Sequence, residues 1–202
     1  MARPSNFDRD NAVQTAMQEI WSAGFDATSV KAISEKLGIT RSSYYNAFGT
    51  REALFKEAMA AYFAQSPDRV LYTDVSDVPI LTLLTSTLRD ICASRAQDPE
   101  ARGCLAVNCL CEKADTKGDP IGDLLIDSIL TSAARLEELL TIAVSRGELP
   151  AETDVHGKAL AVQNLIIGIS AFSKAVHNKA DLWLTARTTL EGLGLYSEAQ
   201  NA

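Results

Sequence analysis

Four cysteines, two histidines and two tryptophans among 202 residues are few, and each scarcity removes a class of protein. Three of the four cysteines, Cys104, Cys109 and Cys111, crowd into one stretch, so they are not the framework of a small disulfide-stapled fold. No window offers the roughly 18 consecutive apolar residues that a membrane span needs. The opening residues MARPSNFDRDN have no apolar h-region, so no secretory signal is expected there. The expected compartment is therefore the reducing cytoplasm. The chain also lacks a Gly-x-Ser-x-Gly elbow, a phosphate-cradling glycine loop and a zinc-ligand histidine pair. His156 and His177 fall near the ends of expected helices, where histidines cap or solvate. No catalysis, no metal and no cofactor is expected. Sustained strand-like alternation is missing too, which points to an all-α fold.

What the chain does carry is acid, unevenly placed. The formal net charge is −7. Residues 1–65 hold seven Lys+Arg and seven Asp+Glu, whereas residues 66–202 hold 12 and 19. A neutral first third joined to an acidic remainder suggests two parts with different partners.

Helical periodicity organises the first part. Apolar residues at 13, 16, 17, 20 and 21 mark one face of a helix from Phe7 to Ala23, ended by Gly24. Thr28 or Ser29 can cap a second helix that stops at Gly38, because a hydroxyl accepts from an orphan N–H of the first turn. Thr40 caps a third helix that ends near Phe48, before Gly49. Thr50 caps a fourth, with an apolar face through Leu54, Phe55, Ala58, Met59 and Tyr62.

The stretch GITRSSYYNAFGTREALF, residues 38–55, is unusual. Hydroxyls, amides and guanidinium groups alternate with aromatic rings, a mixture that suits neither a core helix nor a wholly solvated one. Only Gly38-Ile39 joins the second and third helices, the length of a helix-turn-helix connection. Tyr44 and Phe48, four apart, can pack inward with Ile39. Arg41, Ser42, Ser43, Tyr45 and Asn46 then face outward. Arg and Asn can pair with guanine and adenine edges, and Ser, Thr and Tyr hydroxyls can reach phosphates. The start of the fourth helix, at Thr50 and Arg51, suits a phosphate. A helical hairpin with a merely polar outer face is the plainer alternative.

The 28 residues TSVKAISEKLGITRSSYYNAFGTREALF resemble the helix-turn-helix of TetR-type transcriptional regulators. They share the capping Thr, the Gly of the turn, the Ser/Thr cap of the recognition helix, the Tyr-x-x-Phe and the basic-Glu-Ala-Leu that follows. The resemblance implies that Thr40, Arg41, Ser42, Ser43, Tyr45 and Asn46 touch DNA, with Thr28 and Arg51 at phosphates. Two positions depart from it: Ala47 stands where His or Tyr often supplies a phosphate contact, and Arg51 replaces the commoner Lys. The expected division is a DNA-binding domain over residues 1–50, a connecting helix over 51–65, and a ligand-binding and dimerisation domain over 66–202.

In that larger part a loop rich in Pro, Asp and Ser spans 66–79. Helices are then expected at about 79–97, 103–115, 120–146, 154–178 and 180–196, punctuated by Pro99, Pro120, Gly147 and Pro150. ALAVQNLIIGISAFSKAV is apolar nearly all round, too apolar for one-sided packing. The resemblance implies that the last two long helices pair with those of a second copy, with Gly168, Ser170 and Ala171 allowing close approach. The plainer alternative is a central core helix in a monomer.

RGCLAVNCLCEKA, residues 102–114, holds the cysteine cluster. On a helix, Cys104, Asn108 and Cys111 share a face, but 109 and 111 point nearly opposite ways, which disfavours a shared metal. Cys104 and Cys111 are about 10.5 Å apart along a helix axis, too far for a disulfide, whereas Cys92 with one of the three stays open. Buried cysteines that act as small hydrophobes, a pocket lined with Asn108, and a reactive thiol at Cys104 near Arg102 remain three alternatives. Gly-Cys-Leu-x-Val-Asn is also similar to a segment in a TetR branch that includes regulators responsive to electrophiles and aldehydes. Candidate ligand or thiol-sensing residues are thus Cys92, Cys104, Asn108, Cys111 and Tyr62.

The expected function is a homodimeric, ligand-responsive transcriptional regulator. It would be a repressor released from a palindromic operator by a small molecule or by cysteine modification. A small-molecule carrier with a vestigial helix-turn-helix is the alternative. The absence of Asp and Glu between positions 36 and 51 favours the regulator, because a carrier has no reason to keep that face free of acids.

Overall fold

Side-chain caps fix where most of the helices begin. The computed structural model describes residues 8–115 and 118–197. Helix α1 (Arg9–Ala23) starts when Asp8 accepts from the Asn11 amide; Phe7, expected as its first residue, lies outside the described residues. Ser29 caps α2 (Val30–Leu37), Thr40 caps α3 (Arg41–Phe48) and Thr50 caps α4 (Arg51–Gln65). In each of these three the side-chain oxygen accepts from the amide three residues on, satisfying one orphan donor of the first turn. Gly38 ends α2 in the left-handed conformation at φ 65°, which lets the chain turn within two residues into α3.

Between α4 and α5 (Ile80–Gln97), part of the expected loop winds into a short 3-10 turn, Pro67–Tyr72, with proline at its first position. Next come α6 (Leu105–Lys113), α7 (Pro120–Ser145), α8 (Val155–Phe172) and α9 (Lys179–Gly192). No strand occurs among the described residues. Helix α8 stops six residues short of expectation. Ser173 Oγ donates to the Ser170 carbonyl at 3.0 Å, and the Lys174 amide tightens onto Ala171 at 3.2 Å.

Three apolar clusters fill the interior. One lies within the N-terminal head, where Tyr44 and Phe48 of α3 pack on Ala12, Val13 and Ala16 of α1, Ile33 of α2 and Leu54 of α4. A second straddles the supposed boundary: Met17, Phe25, Phe55 and Tyr62 pack on Leu105, Ala106 and Cys109 of α6 and on Ile121 and Leu125 of α7. The third joins α5, α7, α8 and α9. Helix α4 therefore belongs to both parts, with one stripe in each of the first two clusters.

By length and composition alone α8 is long and apolar enough to cross a membrane, a test that core helices also pass. Its apolar residues are instead divided between a face packed in the third cluster and an outer stripe. Leu160, Gly168, Ala171 and Phe172 lie on that stripe, and Leu184 of α9 is exposed as well. Ser170, expected to allow close approach of another helix, is buried on the inner face, and its Oγ donates to Ile166.

Candidate DNA-reading face and effector cavity

The outer surface of α3 is built from its own inward anchors. Tyr44 and Phe48 are almost wholly buried, their rings 5.4 Å apart, which orients the helix about its axis. Thr40, Arg41, Ser42, Ser43, Tyr45 and Asn46 are all exposed as a result. Tyr45 is 52% exposed, its ring edge-on to that of Tyr44 at 5.6 Å. Arg41 makes no ion pair among the described residues, whereas Lys31 and Lys36 on α2 are paired with Glu35 and Glu19. The face is held from behind by Arg9. Its guanidinium stacks on Phe48 at 4.7 Å, donates to the Ala47 carbonyl and pairs with Glu57 at 2.6 Å.

Two expected phosphate contacts sit elsewhere. Thr28 is buried, and its hydroxyl donates to the Gly24 carbonyl at 2.7 Å, closing the turn between α1 and α2. Ser29, not Thr28, caps α2. Arg51 folds inward, lying over the Phe25 ring at 3.9 Å and donating to the Phe25 carbonyl. The exposed residue type of a helix start gave no sign of this; the partner, an aromatic ring 26 residues earlier, is visible only in the fold.

A cavity of about 550 Å³ opens behind the junction. Its walls are Phe63 of α4, the 3-10 turn with Asp68, Arg69 and Tyr72, the start of α6, the middle of α7 and the inner side of α8. Most of the lining is apolar, with Val107, Leu124, Ile129 and Ile166 prominent. Cys104, the N-cap residue of α6 rather than a residue within it, lines this space. Behind it lie Tyr62 and Arg95, each 5% exposed. Tyr62, Arg95 and Cys104 interact through charge as one polar group, and burial first, then the Cys104 thiol, pushes the Tyr62 phenol far above its usual range.

The five expected sensing residues do not come together. Cys104 lines the cavity and Tyr62 backs it. Asn108 faces a second, smaller cleft and donates to the Arg102 carbonyl at 2.8 Å. Cys92 is buried in the third cluster, its thiol pushed up to about 11 by burial. Cys111 is exposed on the outside of α6. Cys109, buried in the second cluster, is pushed up to about 12, by burial first and then by the Glu112 carboxylate. The i, i+4, i+7 reading of Cys104, Asn108 and Cys111 fails because the helix starts at Leu105, one residue too late. Gln163, Asp68 and Asp127 of the lining were not anticipated. The signal available for Gln163 was a polar pair, Gln163-Asn164, inside an otherwise apolar helix.

Cavity and head are joined through α6. Its Glu112 carboxylate accepts from the backbone amides of Phe25 (2.9 Å) and Asp26 (2.6 Å) in the turn between α1 and α2. Lys113 pairs with Asp26 at 2.9 Å and Asp119 at 2.8 Å. At the other end, Arg102 lies over Trp21 at 4.0 Å, donates to Gln18 at 2.7 Å and pairs with Asp98 at 2.9 Å. The segment from Arg102 to Lys113 thus fastens the head at both ends and carries the cavity wall between them, at Cys104, Ala106 and Val107.

Known proteins share this arrangement. Residues 12–58 match the family profile described as bacterial regulatory proteins, tetR family. Residues 81–189, more than half of the chain, match the tetracyclin repressor-like C-terminal domain. The chain belongs to the TetR family. Among its relatives is the HTH-type transcriptional repressor ComR of Escherichia coli (strain K12), 29% identical over 196 residues, 93% of this chain and 90% of that one. The repressor BdcR of the same organism is 28% identical over 107 residues, 52% of this chain and 53% of its own length. Among solved structures, a cysteine mutant of the TetR family transcriptional regulator CifR, complexed with 26 bp double-strand operator DNA, superposes with a TM-score of 0.79. It is 30% identical, covering 94% of this chain and 98% of that one. As a TetR-family regulator, this chain carries the two parts that the family profiles describe, a helix-turn-helix head and a helical C-terminal domain.

Proposed function

We propose that this regulator is a homodimeric repressor that holds a palindromic operator through two copies of α3. It releases the operator when a small molecule enters the cavity or when Cys104 is modified. The observation that carries the DNA reading is the outer face of α3: six exposed hydrogen-bonding residues from Thr40 to Asn46, with no Asp or Glu between positions 36 and 51. Arg41 and Asn46 are the base readers, since their side chains match guanine and adenine edges bidentately. Thr40, Ser42, Ser43 and Tyr45 have hydroxyls that suit phosphates, and free amides at the start of α4 add an anion seat.

The outer stripe of Leu160, Gly168 and Phe172 on α8, with Leu184 on α9, is the face for the second copy. A twofold axis there presents the two α3 helices to half-sites about one helical turn or more apart. Release then follows from a shift in population. An occupant of the cavity pushes on Cys104, Ala106 and Val107 at the start of α6, and Glu112 carries the displacement to the α1–α2 turn. To move occupancy from mostly bound to mostly free, it must prefer the released conformation by about 5.5 kcal/mol.

Selection of a random duplex pool on the purified protein at two salt concentrations tests the reading. Enrichment of a palindrome supports it, and the half-site spacing gives the distance between heads. No enrichment even at low salt overturns it and leaves a carrier of small molecules in its place.

A further inference from the structure

We infer that the cavity takes a small molecule with an apolar body and a head that donates hydrogen bonds, an alcohol, phenol or amine, received by Gln163 and Asp68. The inference rests on reading the cavity as the effector site. Gln163 is 6% exposed, lines the cavity, and its Oε1 has no partner. Asp68, in the 3-10 turn, also lines the cavity with a buried Oδ1 that makes no hydrogen bond. A buried acceptor left unmade costs about as much as a hydrogen bond contributes, so such groups await a partner rather than persist by chance.

The sign of the head group follows from the two residues together. A carboxamide turned over offers its NH₂ instead of its oxygen, so Gln163 alone selects polarity but not direction. The Asp68 carboxylate has no such freedom, because a carboxylate only accepts. A ligand that satisfies both therefore donates. The remaining charges do not reverse this. Arg95, buried behind the lining, interacts through charge with Asp68 but makes no hydrogen bond to its Oδ1, so that acceptor stays open. Asp127 and Arg69 are both exposed and of opposite sign, and Arg69 is engaged with the Ser66 carbonyl. The apolar body is set by Val107, Leu124, Ile129 and Ile166, and about 550 Å³ is ordinary for a small-molecule site.

The test uses the full chain and four probes of one shape: 2-phenylethanol, 2-phenylethylamine, 2-phenylethyl methyl ether and 3-phenylpropanoate. Binding is read by ligand-observed NMR in the millimolar range, and operator binding is read on the same sample. The alcohol or the amine should bind at least about tenfold tighter than the methyl ether, which keeps the shape and loses the donor. Gln163→Met should abolish that preference for the alcohol, and Asp68→Asn should weaken the amine. Without ligand, Gln163→Met should melt no lower than the parent, because it removes an unpaired amide while keeping the volume. Equal binding of the ether, strongest binding of the carboxylate, or no binding by any probe overturns the inference. So does a melting temperature several degrees lower in Gln163→Met, which would show the amide already satisfied. Intact operator binding alongside any of these results leaves the repressor reading standing, whereas loss of operator selectivity contradicts that reading alone.

Discussion

Glu112→Ala is the substitution that separates fold from control. The carboxylate accepts from two backbone amides, Phe25 N at 2.9 Å and Asp26 N at 2.6 Å, across the joint between α6 and the head. Hydrogen bonds to a charged group contribute roughly 1.5–3 kcal/mol each when shielded. Here the Phe25 amide is half-buried but the Asp26 amide is exposed, so one bond counts nearly in full and the other little. The expected loss is about 2 kcal/mol, or roughly 4–8 °C in Tm for a chain of this size. Glu112→Gln keeps one acceptor and should lose about half as much. Tm is read by calorimetry, and control is read as operator release on adding an effector or a thiol reagent. The alanine variant should still select the same duplex, because α3 is held by α1 and α4 and not by α6. Its release should need more effector, since the fastening that transmits the displacement is gone. A Tm within 1 °C of the parent would refute the energetic reasoning. Undiminished release in a clearly destabilised variant would refute the coupling route.

Arg41→Ala should relax preference at one base pair per half-site by about 1–3 kcal/mol, measured by competition between single-substituted duplexes; unchanged preference removes Arg41 from the reading set. In the native protein Cys104 and Cys111 should titrate with a disulfide reagent, while Cys92 and Cys109, buried and pushed up to about 11 and about 12, should react only on unfolding. Four thiols reacting together would contradict the placement of α5 and α6. Burial tends to raise the Asp98 carboxyl, but hydrogen bonds and charge from Arg102 outweigh it and hold its pKa below the ordinary value. Its contribution is therefore fully present above the unfolded pKa, near 3.9, and is lost as pH falls through the lower folded value. Asp98→Asn should flatten that acid limb of a stability-versus-pH curve, and an unaltered limb would mean the pair with Arg102 contributes nothing.

Where the chain carried its own punctuation, the fold was legible. Gly38, Thr40, Thr50 and Pro120 act on neighbours within a few residues, so the end of α2 and the starts of α3, α4 and α7 follow from local chemistry. The inward turn of Tyr44 and Phe48 followed from helical spacing alone. What was not legible depends on contacts distant in the chain. Arg51 reads as a phosphate ligand until Phe25 is found beneath it, and the Thr28 hydroxyl until Gly24 takes it. The cavity draws on α4, the 3-10 turn, α6, α7 and α8, and no spacing rule relates Asp68 to Gln163. Cys104 was singled out because its motif is local, and the fold sets it in the cavity lining. Asn108 was grouped wrongly because Cys104 is the extended N-cap of α6, so the rotation of about 100° per residue in a helix does not relate the two side chains.

The most direct measurement is the ratio of affinities of the purified protein for its selected duplex and for a scrambled one, with the stoichiometry read at the same time. Two protomers per palindrome and a ratio of at least about 10³ at physiological salt are expected of a dimeric sequence reader. Equal affinity for both duplexes, vanishing together as salt rises, would contradict sequence reading by α3 and leave only nonspecific attraction to phosphate.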